Sequence, residues 1–229
     1  MSDILEPTAY RRWFSTPLGR RVDADEQAVV FALADLKPGE RVLDVGCGDG
    51  NFTGPAAERT GSAVGLDRSP DLLRAAATRL RDVRGLRWIE GDATNLPFAD
   101  ASFDVLLAVT VLCFVRDRRA MIAEARRVLR PGGRLVLGEL GRYSWWAVGR
   151  RLRGLAGSAT WRAARFSSPR ELHGLLDDGG FADITHRAAV FYPPIAALAR
   201  SRAADVIERI GSRWLQSTGA FLVVRGRRA

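Results

Sequence analysis

The stretch Arg41-Val42-Leu43-Asp44-Val45-Gly46-Cys47-Gly48-Asp49-Gly50 constrains this chain more than any other. A short apolar run enters a loop with glycine at every second position, and a helical pattern follows. A parallel strand needs this if it must turn sharply and lay bare backbone against a ligand. Glycine tolerates positive φ and has no Cβ to block close approach. The N–H groups of such a turn, and of the helix start behind it, favour carboxylate or phosphate groups.

The rest of the chain reads as repeats of the same strand–helix unit. Residues 8–36 have helical spacing: Tyr10, Trp13 and Phe14 recur on one face, Pro17 marks a break, and Asp23 is a candidate cap for a second helix. The first strand is Arg41–Val45, followed by a helix from about Asn51 to Arg59. A second strand, Ala63–Asp67, precedes a helix that Ser69 caps and Pro70 opens. A third, Leu86–Glu90, ends at Gly91-Asp92. The fourth, Phe103–Val109, is continuously apolar, as in a parallel strand covered on both faces. The helix Arg118–Leu129 stops at Arg130-Pro131-Gly132-Gly133, and Arg134–Gly138 is a fifth strand with Glu139 at its tip. Beyond it the pattern predicts an Arg-rich amphipathic helix over Tyr143–Leu155, a helix capped by Ser168 with Glu171, a strand Phe181–Phe191, a helical insertion Pro193–Leu215 and a last strand Ala220–Arg225.

Alternating units of this kind imply an open α/β sheet with right-handed crossovers, which binds ligands beyond its strand C-terminal ends. Asp44 with the glycine loop, Asp67, Asp92, Thr110 and Glu139 all fall at or near those ends. The absence of repeats and linkers predicts one domain over residues 1–229. Within it, 1–36 read as helical, 40–140 as the alternating strand–helix core, and 141–229 as further helices and edge strands.

Composition narrows the class. Of 229 residues, 47% are hydrophobic and 27% charged, as in a globular chain rather than a disordered one. The first residues lack a signal-peptide pattern, and the longest apolar run, Val105–Val115, is shorter than the ~20 residues a membrane-spanning helix needs. Cys47 and Cys113 form neither a disulfide framework nor a zinc signature. These features predict a reduced, cytoplasmic protein with no metal. The net charge of +9 is carried almost wholly by arginine, since Lys37 is the only lysine. The arginines read as spread over helix faces, so nucleic acid is not the expected partner.

The glycine pattern Gly46-x-Gly48-x-Gly50 alone fits several cofactors. Dinucleotide enzymes place their third glycine one residue later, where this chain has Asn51. Asp67 can accept both hydrogen bonds of a ribose diol in either case. Asp92 discriminates: a carboxylate there could accept from an adenine amino group, and a pyrophosphate ligand would not specifically require it.

At this point the chain resembles a class I S-adenosylmethionine-dependent methyltransferase (methyltransferase type 11). The motifs are Val42–Gly50, Gly65-Leu66-Asp67, Glu90-Gly91-Asp92-Ala93 with Leu96-Pro97-Phe98, Ser102-Phe103-Asp104-Val105, and Arg127–Gly133. The subgroup is similar to small-molecule methyltransferases of ubiquinone and menaquinone biosynthesis. The resemblance implies a Rossmann-like, seven-stranded, mostly parallel sheet with an antiparallel last strand, helices on both faces and helical lid insertions. It implies S-adenosyl-L-methionine as cofactor and a small-molecule acceptor. Carried over, Gly46, Gly48 and Gly50 would pack against the methionine and ribose. Asp44 would sit under the loop and help hold the methionine amino group. Asp67, with Arg68 beside it, would take the ribose hydroxyls, and Asp92 and the Ala93 N–H the adenine. Thr110 would lie near the methionyl end, and Tyr10 and Trp13 would cap the cofactor. Relatives often carry histidine after the fourth strand; here the stretch is Leu112-Cys113-Phe114-Val115, so no histidine base stands there and no catalytic residue is assigned.

The remaining candidates read as structural. Cys47 is a small loop filler and Cys113 a core residue rather than a nucleophile. His173 and His186 read as surface or satisfied residues. Glu139 could face the substrate, and Trp145, Trp146 and Trp161 could line an apolar pocket. A nicotinamide oxidoreductase, an RNA methyltransferase and a cofactor-binding protein without transferase activity stay open as alternatives.

Overall fold

The continuous apolar runs become a single sheet. In the computed structural model, which describes residues 12–229, the strands are β1 Val42–Val45, β2 Ala63–Asp67, β3 Leu86–Glu90, β4 Phe103–Val109, β5 Leu129–Leu140, β6 Phe181–Ala189 and β7 Phe221–Arg228. They lie in the order β3-β2-β1-β4-β5-β7-β6. The first five run parallel, and β7 is antiparallel to both its neighbours. The order reverses at β1, which sits between β2 and β4. The glycine loop therefore leaves the sheet at its switch point, where crossovers to either side open a crevice.

Helices cover both faces, as the buried strands require. These are α1 Pro17–Ala34, α2 Thr53–Thr60, α3 Pro70–Arg79, α4 Arg118–Val128, α5 Trp145–Leu155, α6 Ala159–Ala163, α7 Pro169–Asp178 and α8 Arg202–Trp214. Alternate residues of one strand serve opposite cores. Leu43 and Val45 join Met121, Ile122 and Ala125 of α4 and Leu172 and Leu176 of α7. Val42 joins Val22, Val30 and Leu33 of α1 and Ala56 and Ala57 of α2. None of the described helices is long and apolar enough to cross a membrane.

Several boundaries differ from the sequence expectation. The break expected at Pro17 is present: residues 12–14 are helical, the chain turns at Ser15 and Thr16, and α1 begins at Pro17, where Thr16 accepts the Gly19 N–H and proline's missing donor costs nothing. Asp23 is therefore not a cap. It lies inside α1 and accepts from Asn51 Nδ2 at 2.6 Å, tying α1 to the exit of the glycine loop. The helix after that loop begins at Thr53 rather than Asn51. Strand β5 is longer than the predicted Arg134–Gly138, because Leu129 pairs with Phe103 of β4 at one end and Glu139 and Leu140 pair with Leu222 and Phe221 of β7 at the other. Glu139, expected at the strand tip, lies within the strand opposite Leu222.

The motif acid Asp104 has a purely structural task. Its carboxylate accepts the Arg41 N–H at 2.6 Å and pairs with Arg130 Nε at 2.6 Å. It locks the start of β4 at the sheet end opposite the crevice.

Candidate cofactor site

Gly46, Gly48 and Gly50 all adopt positive φ, at 70°, 55° and 82°. The three glycines are needed for different reasons. A Cβ on Gly46 would stand 2.4 Å from Val111 Cγ2, and one on Gly50 would stand 2.7 Å from the Trp88 ring. Gly48 meets nothing within 4 Å, so its left-handed backbone faces open space.

Asp67 ends β2 and steadies this loop. One carboxylate oxygen accepts the Gly48 N–H at 2.9 Å and the other the Ser69 N–H at 2.9 Å. Asp92, past β3, accepts the Thr94 N–H at 2.8 Å and the Thr94 hydroxyl at 2.7 Å on one oxygen. Those bonds hold its carboxyl below the usual range. Its second oxygen lies 3.8 Å from Arg68 Nε. Arg127 shapes the loop that follows, donating to the Leu96 and Phe98 carbonyls while pairing with Glu124 and Asp100. The family-like motif around Arg127 was legible in the sequence; this clamp was not.

These strand ends enclose a cleft of about 420 Å³ lined by Gly46, Leu66, Asp67, Arg68, Gly91, Asp92, Ala93 and Thr94 on one side. The loop after β4 closes the other side with Val111, Phe114, Val115, Arg116 and Asp117. The volume lies within the ~300–1,000 Å³ of small-molecule sites. The structure thus brings Gly46, Asp67, Arg68, Asp92 and Ala93 together. The β4-loop residues were missed as site residues, although the sequence had marked Leu112–Val115 as a departure from the family pattern.

Asp44, Gly48, Gly50 and Thr110 do not line that cleft. Asp44 is buried beneath the loop and accepts the Thr53 hydroxyl at 2.6 Å; burial pushes its pKa up to about 7. Thr110 holds φ at 52°, unusual for a β-branched residue, while its N–H donates to Gly138 at 2.7 Å. Such strain concentrates where a chain must turn tightly beside a site. Tyr10 lies outside the described residues. Trp13 is described, and its ring meets Trp146 edge-on at 6.2 Å.

On the inner side of α5, Trp146 and Arg150 meet Trp161 of α6. Arg150 lies between the rings of Trp146 and Trp161, at 5.4 and 5.0 Å from their centroids. Trp146 is anchored by its Nε1, which donates to the Tyr192 carbonyl at 2.8 Å. The Tyr192 hydroxyl in turn donates to Asp25 of α1 at 2.9 Å. Withdrawal from water pushes Glu26 on α1 up to about pKa 8, against the pull of Arg150.

Glu139 is fully buried, and neither oxygen makes a well-formed hydrogen bond among the described residues. Burial pushes its pKa from an ordinary 4.5 up to about 8; Arg118 and the nearby Leu112 and Cys113 N–H groups oppose the shift without cancelling it. Folded and unfolded chains both hold this proton below pH 4.5. Between there and about pH 8 only the folded chain holds it, so its contribution to stability falls as pH rises. Glu139→Gln is therefore expected to gain in melting temperature over the parent progressively between pH 5 and 8, with no gain from this source at pH 4. A gain equal at all pH values would show that Glu139 is already ionised in the folded protein.

Both thiols are buried. Burial, with Glu139 alongside, holds the Cys113 thiol well above its ordinary range, which fits a core residue. Cys47 is likewise raised by burial and by Asp44 and Asp67. His173 lies on α7 and His186 on the edge strand β6, away from the crevice at β1.

Comparison with known proteins agrees with this geometry. Residues 43–137 match the family described as a methyltransferase domain. An uncharacterized protein of Mycobacterium tuberculosis is 36% identical over 189 residues, covering 82% of this chain and 63% of that protein. A demethylmenaquinone methyltransferase of Tropheryma whipplei is 42% identical over 120 residues, covering 51% of this chain and 48% of that one. This chain therefore spans less than two thirds of the length of these curated relatives. A solved structure of a SAM-dependent methyltransferase from Thermotoga maritima superposes with a TM-score of 0.74 at 28% identity, covering 97% of this chain and 96% of that one. With the strand order, the left-handed glycine loop and the carboxylates at successive strand ends, these matches show that the chain belongs to the S-adenosylmethionine-dependent methyltransferase family.

Proposed function

We propose that this protein transfers the methyl group of S-adenosylmethionine to a nucleophilic atom of a small-molecule acceptor. The observation that carries this reading is the convergence of Gly46, Asp67, Asp92 and Ala93 from three strand ends on one cleft. The chain's own residues fit the donor. Asp67 offers carboxylate oxygens for the ribose diol, and Asp92 keeps one oxygen outside its Thr94 bonds for the adenine amino group. The Ala93 N–H stands beside it, with Arg68 at the rim. Gly46 and Gly48 would pass close to the methionine and ribose, over Gly50, whose bare Cα admits Trp88. Asp44 supports the loop from below, and Thr110 would border the methionyl end.

When bound, the cofactor supplies a sulfonium-activated methyl group and its own leaving group. What remains for the protein is alignment and exclusion of water, so orientation is the main catalytic contribution. Helix α1 would form the lid, since Asp23 and Gln27 hold it on Asn51 at the loop exit. The acceptor would lie against the Trp146–Arg150–Trp161 stack, beyond the β4 and β5 ends.

Two measurements test the reading separately. Calorimetry should give micromolar-range binding of S-adenosylhomocysteine and none of NADH. Incubation with methyl-labelled cofactor and a metabolite extract should then transfer label into the small-molecule fraction. Label appearing in RNA instead would replace the acceptor class. S-adenosylhomocysteine binding without any transfer would reduce the protein to a cofactor-binding module.

A further inference from the structure

The outer faces of α5 and α8 are not finished surfaces. Trp145, Val148, Leu152 and Leu155 recur at spacings of three and four along α5, so they share one side of the helix. All four are exposed, Trp145 at 70% and Leu155 at 86%. Across from them α8 exposes Val206, Ile210 and, at 73%, Trp214. The two stripes meet where Trp145 and Val148 approach Ile210. They border one groove of about 680 Å³, lined by Trp145 and Val148 from one helix and Ile207 and Ile210 from the other, with Phe191 and Leu215.

The charge around this face has one sign. The arginines are spread along the chain, as the sequence suggests, but the acids are not. Residues 141–170 hold seven arginines and no acidic residue. The two acids of α8 are both committed to other contacts. Asp205 pairs with Arg21 at 2.8 Å, and Glu208 accepts the Val190 and Phe191 N–H groups at 2.9 Å each. The remaining charges of that helix, Arg202, Arg209 and Arg213, form no ion pair among the described residues, nor does Arg153 on α5. A second copy of this chain would bring arginine against arginine with no carboxylate to neutralise it. A nucleic acid would need aromatic platforms for its bases, whereas Val148, Leu152, Leu155, Val206 and Ile210 make this face mainly aliphatic. Apolar side chains ringed by unpaired cations, with tryptophan among them, match the boundary between acyl chains and phosphate headgroups.

We propose that α5 and α8 form a docking face that seats this protein on an anionic lipid bilayer, with Trp145, Leu155 and Trp214 entering the headgroup–acyl boundary and Arg153, Arg209 and Arg213 at the lipid phosphates. Docking does not depend on the reaction in the cleft, and S-adenosylhomocysteine binding reads the cleft separately.

The test is co-sedimentation of the full chain with vesicles of phosphatidylcholine alone, or with about a third phosphatidylglycerol. Binding to the anionic vesicles is expected, weakening as salt rises above about 150 mM. The double variant Trp145→Ala/Trp214→Ala is expected to lower the partition coefficient at least about tenfold. The triple variant Arg153→Gln/Arg209→Gln/Arg213→Gln should abolish the preference for anionic over neutral vesicles. Unchanged S-adenosylhomocysteine affinity in both shows that they fold. If the parent ignores anionic vesicles, or the double variant binds them as well as the parent, the proposal is wrong. A dimer in size-exclusion chromatography that the double variant disrupts, without vesicle binding, would assign the face to a second copy instead.

Discussion

Asp67→Ala is expected to lose calorimetrically detectable binding of S-adenosylhomocysteine, a weakening of at least about a hundredfold. The side chain works twice. It offers the cleft a carboxylate for a ribose diol, and charge-assisted hydrogen bonds of that kind are worth about 1.5–3 kcal/mol each. It also accepts the N–H groups of Gly48 and Ser69, so removing it frees the glycine loop and the start of α3. Asp67→Asn grades the two tasks. The amide keeps an acceptor for only one of the Gly48 and Ser69 N–H groups and sets a donor against the other, so the melting temperature should fall, though less than in Asp67→Ala, while affinity still drops. The weaker companion is Asp92→Ala, because that carboxylate is half exposed and already engaged with Thr94. Unchanged binding in both alanine variants would overturn the site assignment while leaving the fold intact.

Gly46→Ala is expected to destabilise the protein by about 2–4 kcal/mol, since it combines overpacking with backbone strain. The new Cβ would stand 2.4 Å from Val111 Cγ2 and 2.5 Å from Val111 Cβ, at a φ of 70°. Val111 cannot retreat freely, because it follows Thr110, itself left-handed and hydrogen-bonded to Gly138. Val111→Ala would leave the closer-to-backbone collision in place, so the informative partner is Val111→Gly. The double variant should recover the steric part and retain only the cost of alanine at positive φ, about 1 kcal/mol. Urea titration of the four proteins measures this as a coupling energy. Additive effects would mean that the loop rearranges and that Gly46 is not held against the β4 turn. Gly48→Ala, with open space around its Cβ position, should cost the backbone term alone.

Much of this was legible in the residues because it is local. Strand-length apolar runs, Ser69 with Pro70, and Ser168 with Glu171 each specify an element within a few residues, and the caps formed as read. The strand-end acids were legible for a related reason: a parallel sheet delivers every such end to one side, so sequence position alone predicts convergence. Boundaries set by distant partners were not. The break at Pro17 was legible, but that the second helix starts at the proline itself, capped by Thr16 rather than Asp23, was not. The length of β5, and with it the burial of Glu139, depends on β4 and β7 lying on either side.

The sequence by itself determined the α/β alternation, the glycine turn and the carboxylates that mark the cofactor crevice, because hydrophobic periodicity and backbone sterics act over neighbouring residues. Only the tertiary structure decided that Asp44 and Glu139 are sealed from water and that Arg127 clamps the loop behind Asp92. It also decided that Arg150 stacks between two indoles while the opposite face of the same helix is left apolar and open. Burial, pairing and desolvation are properties of what surrounds a side chain, and those surroundings come from residues far away in sequence.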